Sequence, residues 1–300
     1  MQSMTEPVTL RTALGDYLHT EAVKQGRLTS PEVAFDFVKV EPIHKAFTPM
    51  IREQAFELSE LAIVVALQAL EGGRPIVLLP AVVAARLQRG CLIYYRARGR
   101  IEDGAVAGKK IGVRAYSQTT GMWVRAALRE DYGLEVNDMQ WITQDTSHTE
   151  GSEDPAFVQR DATGKSLVDQ LRDGDIDAAI LGNDLPKDDA FAPVITGHRQ
   201  QDEAWHAAHG FMPVNHVLVA SATAVREKRD AVAAAYGLLR ASAAQAEWPP
   251  GRFDPTLFGT DRMRAPLAYI IEECRRQGLL SRQLDAGEIL APAKSLLETS

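Results

Sequence analysis

The chain has 300 residues, 45% hydrophobic and 24% charged, a composition that excludes a disordered or fibrous polypeptide and is long enough for two domains rather than one core. Its formal net charge of −7 excludes a general nucleic-acid surface, so an anionic partner must be held by local groups. Two cysteines, Cys91 and Cys274, stand far apart without a CxxC, and neither a disulfide nor a zinc site is expected from them.

Residues 8–14 alternate as a strand and run into Gly15-Asp16-Tyr17, after which 20–25 opens a helix. A second strand at 35–40 stops at Glu41-Pro42, and 45–53 reads as helical. A third short strand is expected at 55–58, with Ser59 as the N-cap of an Ala- and Leu-rich helix through residue 70. Strands follow at 76–83 and 91–95. Gly108 opens a new unit: strand 110–114, the loop from Ala115 to Gly121, and a helix over 122–132 that stops at Gly133. Further strands are expected at 141–143 and 178–181, with an acidic loop over 146–161 and a helix over 166–173 between them. A strand at 214–221 returns toward the first unit, and the chain is helical from 224 onward. The expected domains are therefore 1–109 with 217–300, and 110–216.

No apolar run approaches the roughly 18 residues of a membrane span. The first fifteen residues lack a basic stretch followed by an apolar one, so the expected location is the cytoplasm, or the periplasm if a signal peptide has been removed. No Gly-x-Ser-x-Gly elbow supports hydrolysis through a serine, and no GxGxxG opens a helix.

Three strand-to-loop junctions carry polar groups where open α/β sheets bind ligands: 15–17, 57–60 and 116–121. In the third, Ser117, Thr119, Thr120 and Gly121 lead into a helix N-terminus, whose free N–H groups and dipole favour a carboxylate, sulfonate or phosphate. A Ser/Thr cap without a ligand would look the same.

The runs FDFVKVEPIHKAF, AFELSELAI, GKKIGVRAYSQTTGMWVRAALREDYGL, LRDGDIDAAI and PVNHVLVAS together resemble the 4,5-dihydroxyphthalate decarboxylase family, which is similar in turn to type II periplasmic solute-binding proteins of the sulfonate, thiamine-precursor and phosphonate groups. The resemblance spans about 8–225. It implies a two-lobed α/β fold with a ligand cleft between the lobes and two crossover segments, near Lys110 and His216, and a cofactor-independent decarboxylase acting on a hydroxylated aromatic acid. Two departures stand out: the family's Gly-Asp-Tyr is followed by Asp-Arg, whereas Leu18-His19 stands here, and the Arg and His that precede the Cys91 strand are replaced by Arg86-Leu87-Gln88-Arg89.

Such a reaction needs a holder for the carboxylate, a base for a phenolic hydroxyl and an acid for the ring carbon. Arg114 suits the carboxylate, with Tyr116, Ser117, Thr119, Thr120 and Gly121 beside it. Asp16 and Glu57 suit the phenol, and Tyr17, His19, Ser59, Arg86 and Asn215 complete the expected binding set. His216, a polar residue inside an apolar strand, is the expected proton donor, although a structural histidine would also fit. No metal is expected; His198, His206 and His209 are near one another in sequence and leave a weak site open. The partner expected is a small anionic, aromatic ligand, with the apolar C-terminal helices able to form a homodimer face. The rival reading is the solute-binding component of an uptake system, whose partner would be an ABC permease, and a third is a sensor or biosynthetic enzyme of the same fold.

Overall fold

The computed structural model describes residues 6–146 and 153–298, so part of the acidic 146–161 loop lies outside the described residues. Among these are twelve strands: β1 (Val8–Ala13), β2 (Val33–Phe37), β3 (Leu58–Ala62), β4 (Ile76–Ala85), β5 (Leu92–Tyr95), β6 (Lys110–Val113), β7 (Gln140–Thr143), β8 (Val158–Arg160), β9 (Ala178–Ile180), β10 (Phe191–Pro193), β11 (Val214–Ser221) and β12 (Leu257–Phe258). They form two mixed six-stranded sheets, ordered β12-β4-β11-β3-β1-β2 and β10-β5-β9-β6-β7-β8. The chain divides into two compact units, Met1–Ala85 with Val214–Ile271 and Gln283–Ser300, and Arg86–Pro213 with Glu272–Arg282.

The division differs from the expected one in placing 86–109 in the second unit. β5 is the reason: its residues Leu92, Ile93 and Tyr94 pair with Ile180, Ala179 and Ala178 of β9, and a strand cannot leave the sheet that satisfies its backbone. The chain switches units after Ala85 instead of near Lys110, and after Pro213, close to the expected His216; Glu272–Arg282, expected in the first unit, belongs to the second.

In the first unit β1 runs parallel to β2 and β3, while β11 is antiparallel to both β3 and β4. The helix Arg229–Ala244 buries Val232, Ala235, Tyr236 and Leu239 against Leu10, Leu58, Leu79 and Leu218. That i, i+3, i+4, i+7 spacing gives one apolar stripe facing the sheet. β3 starts three residues later than expected, and Ser59 is a buried strand residue whose Oγ donates to the Glu60 carbonyl, not a helix cap. The helix begins at Ile63. Because Leu58–Ala62 is buried on nearly its whole length, it shows no alternation, and its apolar run merges with that of the helix.

In the second unit β6 lies between β7 and β9, parallel to each. The helix Thr119–Tyr132 follows β6 after five residues and ends at Gly133, whose φ of 68° is left-handed backbone that glycine adopts without strain. Ile93, Leu167, Leu171, Ile176, Leu181 and Phe191 form a core here. No helix among the described residues is long and apolar enough to cross a membrane.

Candidate functional site

β1 ends at Ala13 beside Ser59 of β3, which brings the following turn alongside Glu60. Glu60 is fully buried in a sheet, a place where an acid needs partners. It has three: Oε2 accepts from the Gly15 N–H at 2.7 Å, and Oε1 accepts from the Tyr17 hydroxyl at 2.8 Å and from Nδ1 of His216 at 2.7 Å. Burial pushes the Glu60 carboxyl up, but the His216 hydrogen bond and charge, the Gly15 amide and Tyr17 outweigh it and hold the group below the usual carboxylate range. Gly15 is needed for a steric reason, since a Cβ there would come within 2.8 Å of the Tyr17 ring.

His216 reaches Glu60 because Leu218 is paired with Glu60 and His216 lies two residues away on the same face of β11. The β11–β4 register shifts around buried Asn215 and around His216, a local irregularity of the kind that re-aims side chains. An ionised carboxylate against Nδ1 makes that nitrogen the protonated one, leaving Nε2 as the nitrogen that Glu60 does not hold. The His216 side chain keeps 22% exposure and meets the Phe47 ring edge-on, with centroids 5.4 Å apart.

Tyr17 and His19 are stacked, with ring centroids 5.0 Å apart and planes 6° from parallel, and Trp248 lies tilted against His19. Burial raises the Tyr17 hydroxyl above its ordinary value, with Glu60 adding to it, and burial lowers the His19 imidazole. The Val83 carbonyl lies beside His19, yet neither buried ring nitrogen has a partner in hydrogen-bond geometry.

The two acids expected to accept a phenolic proton sit elsewhere. Asp16 points to solvent, 83% exposed, and pairs with Lys24 at 2.6 Å, whose hydrogen bond and charge lower its carboxyl. Glu57 precedes β3 instead of ending a strand; it accepts the Arg11 amide at 2.7 Å and Lys228 at 2.8 Å. Burial raises the Glu57 carboxyl, but those bonds leave it net lowered. Glu60, three residues on, is the acid that meets His216. A lone carboxylate inside the apolar run LSELAIVVAL was a signal for it, of the same kind that singled out His216.

The second unit holds a different cluster. Gln118 is the N-cap of the helix Thr119–Tyr132 but its side chain caps nothing, so the first amides of the helix lack a side-chain acceptor. Around that end Ser117 Oγ, Gln118 Oε1, Thr119 Oγ1, Arg86 Nε and Arg125 Nη1 are buried with no hydrogen-bond partner. Arg86 donates to Thr120 Oγ1 at 2.8 Å and to Asn183 Oδ1 at 2.7 Å, and one of its nitrogens would lie 2.9 Å from a Cβ on Gly182. Helix amides, hydroxyls and the Arg86 guanidinium grouped at one helix start make a cradle of donors of the kind that suits an anion.

Arg114 has its guanidinium 4.0 Å from Asp145, and both are partly exposed; the arginine hydrogen-bonded to the helix start is Arg86, through Thr120. Tyr116 is fully buried, donates to the Gln277 carbonyl at 2.9 Å and carries the Arg125 guanidinium 4.0 Å above its ring, which makes it core and not a ligand platform. In the helix His198–His209, His209 stacks on Trp205 at 4.0 Å, and His198 packs against Gly90. Among the described residues no three of His, Cys, Asp and Glu are grouped to hold a metal ion.

No family model matches the chain. Over 186 residues it is 27% identical to 4,5-dihydroxyphthalate decarboxylase from Comamonas testosteroni, covering 57% of this chain and 54% of that protein. Over 180 residues it is 29% identical to the protein of the same name from Pseudomonas putida, covering 57% and 69%. The chain is similar to 4,5-dihydroxyphthalate decarboxylases. It spans about half the length of the first of these relatives. Among solved structures, the alkanesulfonate-binding protein SsuA from Xanthomonas axonopodis pv. citri bound to MOPS superposes with a TM-score of 0.57 at 13% identity, covering 95% of this chain and 98% of that one. The periplasmic aliphatic sulphonate-binding protein SsuA from Escherichia coli gives 0.56 at 11% identity, covering 94% and 97%. A mutant of DSZB in complex with biphenyl-2-sulfinic acid gives 0.58 at 15%, covering 97% and 99%. These likenesses show the fold: α/β, two-lobed and similar to periplasmic binding proteins.

Proposed function

We propose that this chain is a cofactor-independent decarboxylase acting on a hydroxylated aromatic carboxylic acid of the 4,5-dihydroxyphthalate type. The observation that carries the proposal is the 2.7 Å contact between His216 Nδ1 and the fully buried Glu60, which fixes an imidazole with Nε2 free to act on a ligand. The names of the two curated relatives supply the reaction class.

In this reading the cradle of Arg86, Ser117, Thr119, Thr120 and Gly121 is a place in the second unit suited to a carboxylate. A ring hydroxyl para to the carboxylate to be lost feeds electron density to the carbon bearing it, and protonated His216 gives its Nε2 proton to that carbon. The bond to the carboxylate then breaks, its electron pair restores the aromatic ring, and CO2 leaves. The net change is loss of CO2 and uptake of one proton, which His216 recovers from solvent. Glu60 is a positioning residue for His216, and Glu57, expected to accept a phenolic proton, has no part in this reading. Tyr17, half-buried and stacked on buried His19, offers its ring as an aromatic face. The test is a thermal-shift screen of hydroxylated benzoates and phthalates, with CO2 release measured on each hit.

A second reading, the solute-binding component of an uptake system for a sulfonate, phosphonate or carboxylate, draws on the same cradle, because a three-oxygen anion uses the same donors. It predicts tight binding without CO2, a periplasmic location and an ABC permease as partner.

A further inference from the structure

Arg125 is 2% exposed, on the seventh residue of the helix Thr119–Tyr132. Side chains lean toward the N-terminus of their helix, and this one reaches back over the first turn. Its Nη2 donates to the Tyr116 carbonyl at 2.8 Å and its Nε to Gln277 Oε1 at 2.7 Å. Its Nη1 has no partner and would lie 3.1 Å from a Cβ on Gly121, so it sits against the third residue of the helix.

Among the described residues no carboxylate forms an ion pair with it. Asp154 and Glu273 are the acids whose fields reach it, and each is held by another arginine: Asp154 by Arg160 at 3.1 Å, Glu273 by Arg129 at 2.6 Å. Burial draws the guanidinium below its ordinary value, with the Tyr116 ring as a partial offset. A guanidinium nevertheless stays charged in proteins. Its charge is added to the positive end of a helix dipole and to Arg86, an arrangement that runs against the usual preference for negative charge at a helix start.

We infer that the anion bound in the cradle is the counter-ion of Arg125, and that Arg125, without serving as a surface ligand, makes this helix start select an anion over a neutral group of the same shape. The inference rests on the reading of the cradle as the carboxylate site and adds to it a specificity residue that sequence reasoning did not find. Gly121 fits the same account: a side chain there would press on the Arg125 guanidinium.

The experiment is calorimetric titration of the whole chain with inorganic sulfate and with phthalate, on the wild type and on Arg125→Met and Arg125→Lys. A buried charge near the bound anion is expected to be worth tenfold or more, roughly, in affinity. Arg125→Met should therefore weaken sulfate and phthalate by about tenfold or more, and Arg125→Lys should stay within about threefold of wild type. If Arg125→Met fails to fold by near-ultraviolet circular dichroism, Arg125→Gln, which keeps a donor for the Tyr116 carbonyl, takes its place in the comparison. Sulfate and phthalate affinities within about threefold of wild type in the folded neutral variant would overturn the inference while the cradle stands. Loss in the lysine variant equal to that in the neutral one would overturn it as well, by showing that shape and not charge is read. Failure of wild type to bind either anion would remove the cradle itself.

Discussion

His216 Nδ1 and Glu60 Oε1 lie 2.7 Å apart on one face of a sheet, joined diagonally across β11 and β3, and the same carboxylate oxygen accepts the Tyr17 hydroxyl. Glu60 thus fixes the ring position, the tautomer and the neighbouring phenol at once. Replacing it with glutamine keeps the shape but presents an amide that can turn its NH2 toward Nδ1. Glu60→Gln is expected to lower kcat by roughly 10² or more, with KM changed by only a few-fold. Rescue by Glu60→Asp, which keeps the carboxylate on a shorter side chain, would point to charge and not shape as what Glu60 supplies.

His216→Gln keeps a hydrogen-bond donor beside Glu60 but cannot deliver a proton. It should lower kcat by roughly 10²–10⁴ and leave ligand affinity within a few-fold. Loss of binding and turnover together would make His216 a ligand contact instead.

The Glu60 carboxyl lies below its unfolded value, so the stability it adds is present above the unfolded pKa and is lost as pH falls through the folded one. Stability measured by urea melts from neutral pH down into the acid range should fall as Glu60 takes up its proton. Glu60→Gln should show a shallower acid limb. An identical limb in both proteins would show that Glu60 contributes none of that dependence.

Arg86 and Arg114 separate cleanly. Arg86→Ala should weaken phthalate binding by about 1.5–3 kcal/mol, the loss of one charge-assisted contact. Arg114→Ala, removing a partly exposed partner of Asp145, should leave it within a few-fold. Titration calorimetry on the two variants decides between them.

Arg89 is 4% exposed and bridges Asp131 and Asp202, at 2.7 and 2.8 Å. Removing it leaves Asp202, 1% exposed, as an unpaired buried acid whose carboxyl burial already pushes up. Arg89→Ala should cost about 3–5 kcal/mol in denaturant melts.

The two-lobed α/β fold was legible in the order of strands and helices and in the runs that resemble the decarboxylases. That a polar loop feeds a helix after β6 was legible too, from the stretch holding Ser117, Thr119, Thr120 and Gly121. Glu60 was missed because β3, buried along its length, shows no period-two pattern, and a strand read three residues early put Glu57 forward instead. Arg86 and Arg114 could not be ranked from sequence, because Arg86 comes to the loop through Thr120, 34 residues away along the chain.

The most direct test of the central claim is CO2 release from 4,5-dihydroxyphthalate by the purified chain without added metal or cofactor, followed by mass spectrometry of gas and product. The account predicts one CO2 and one 3,4-dihydroxybenzoate per substrate consumed, with turnover abolished by His216→Gln. Saturable binding of the compound with no CO2 above the uncatalysed rate would contradict it and leave the solute-binding reading in its place.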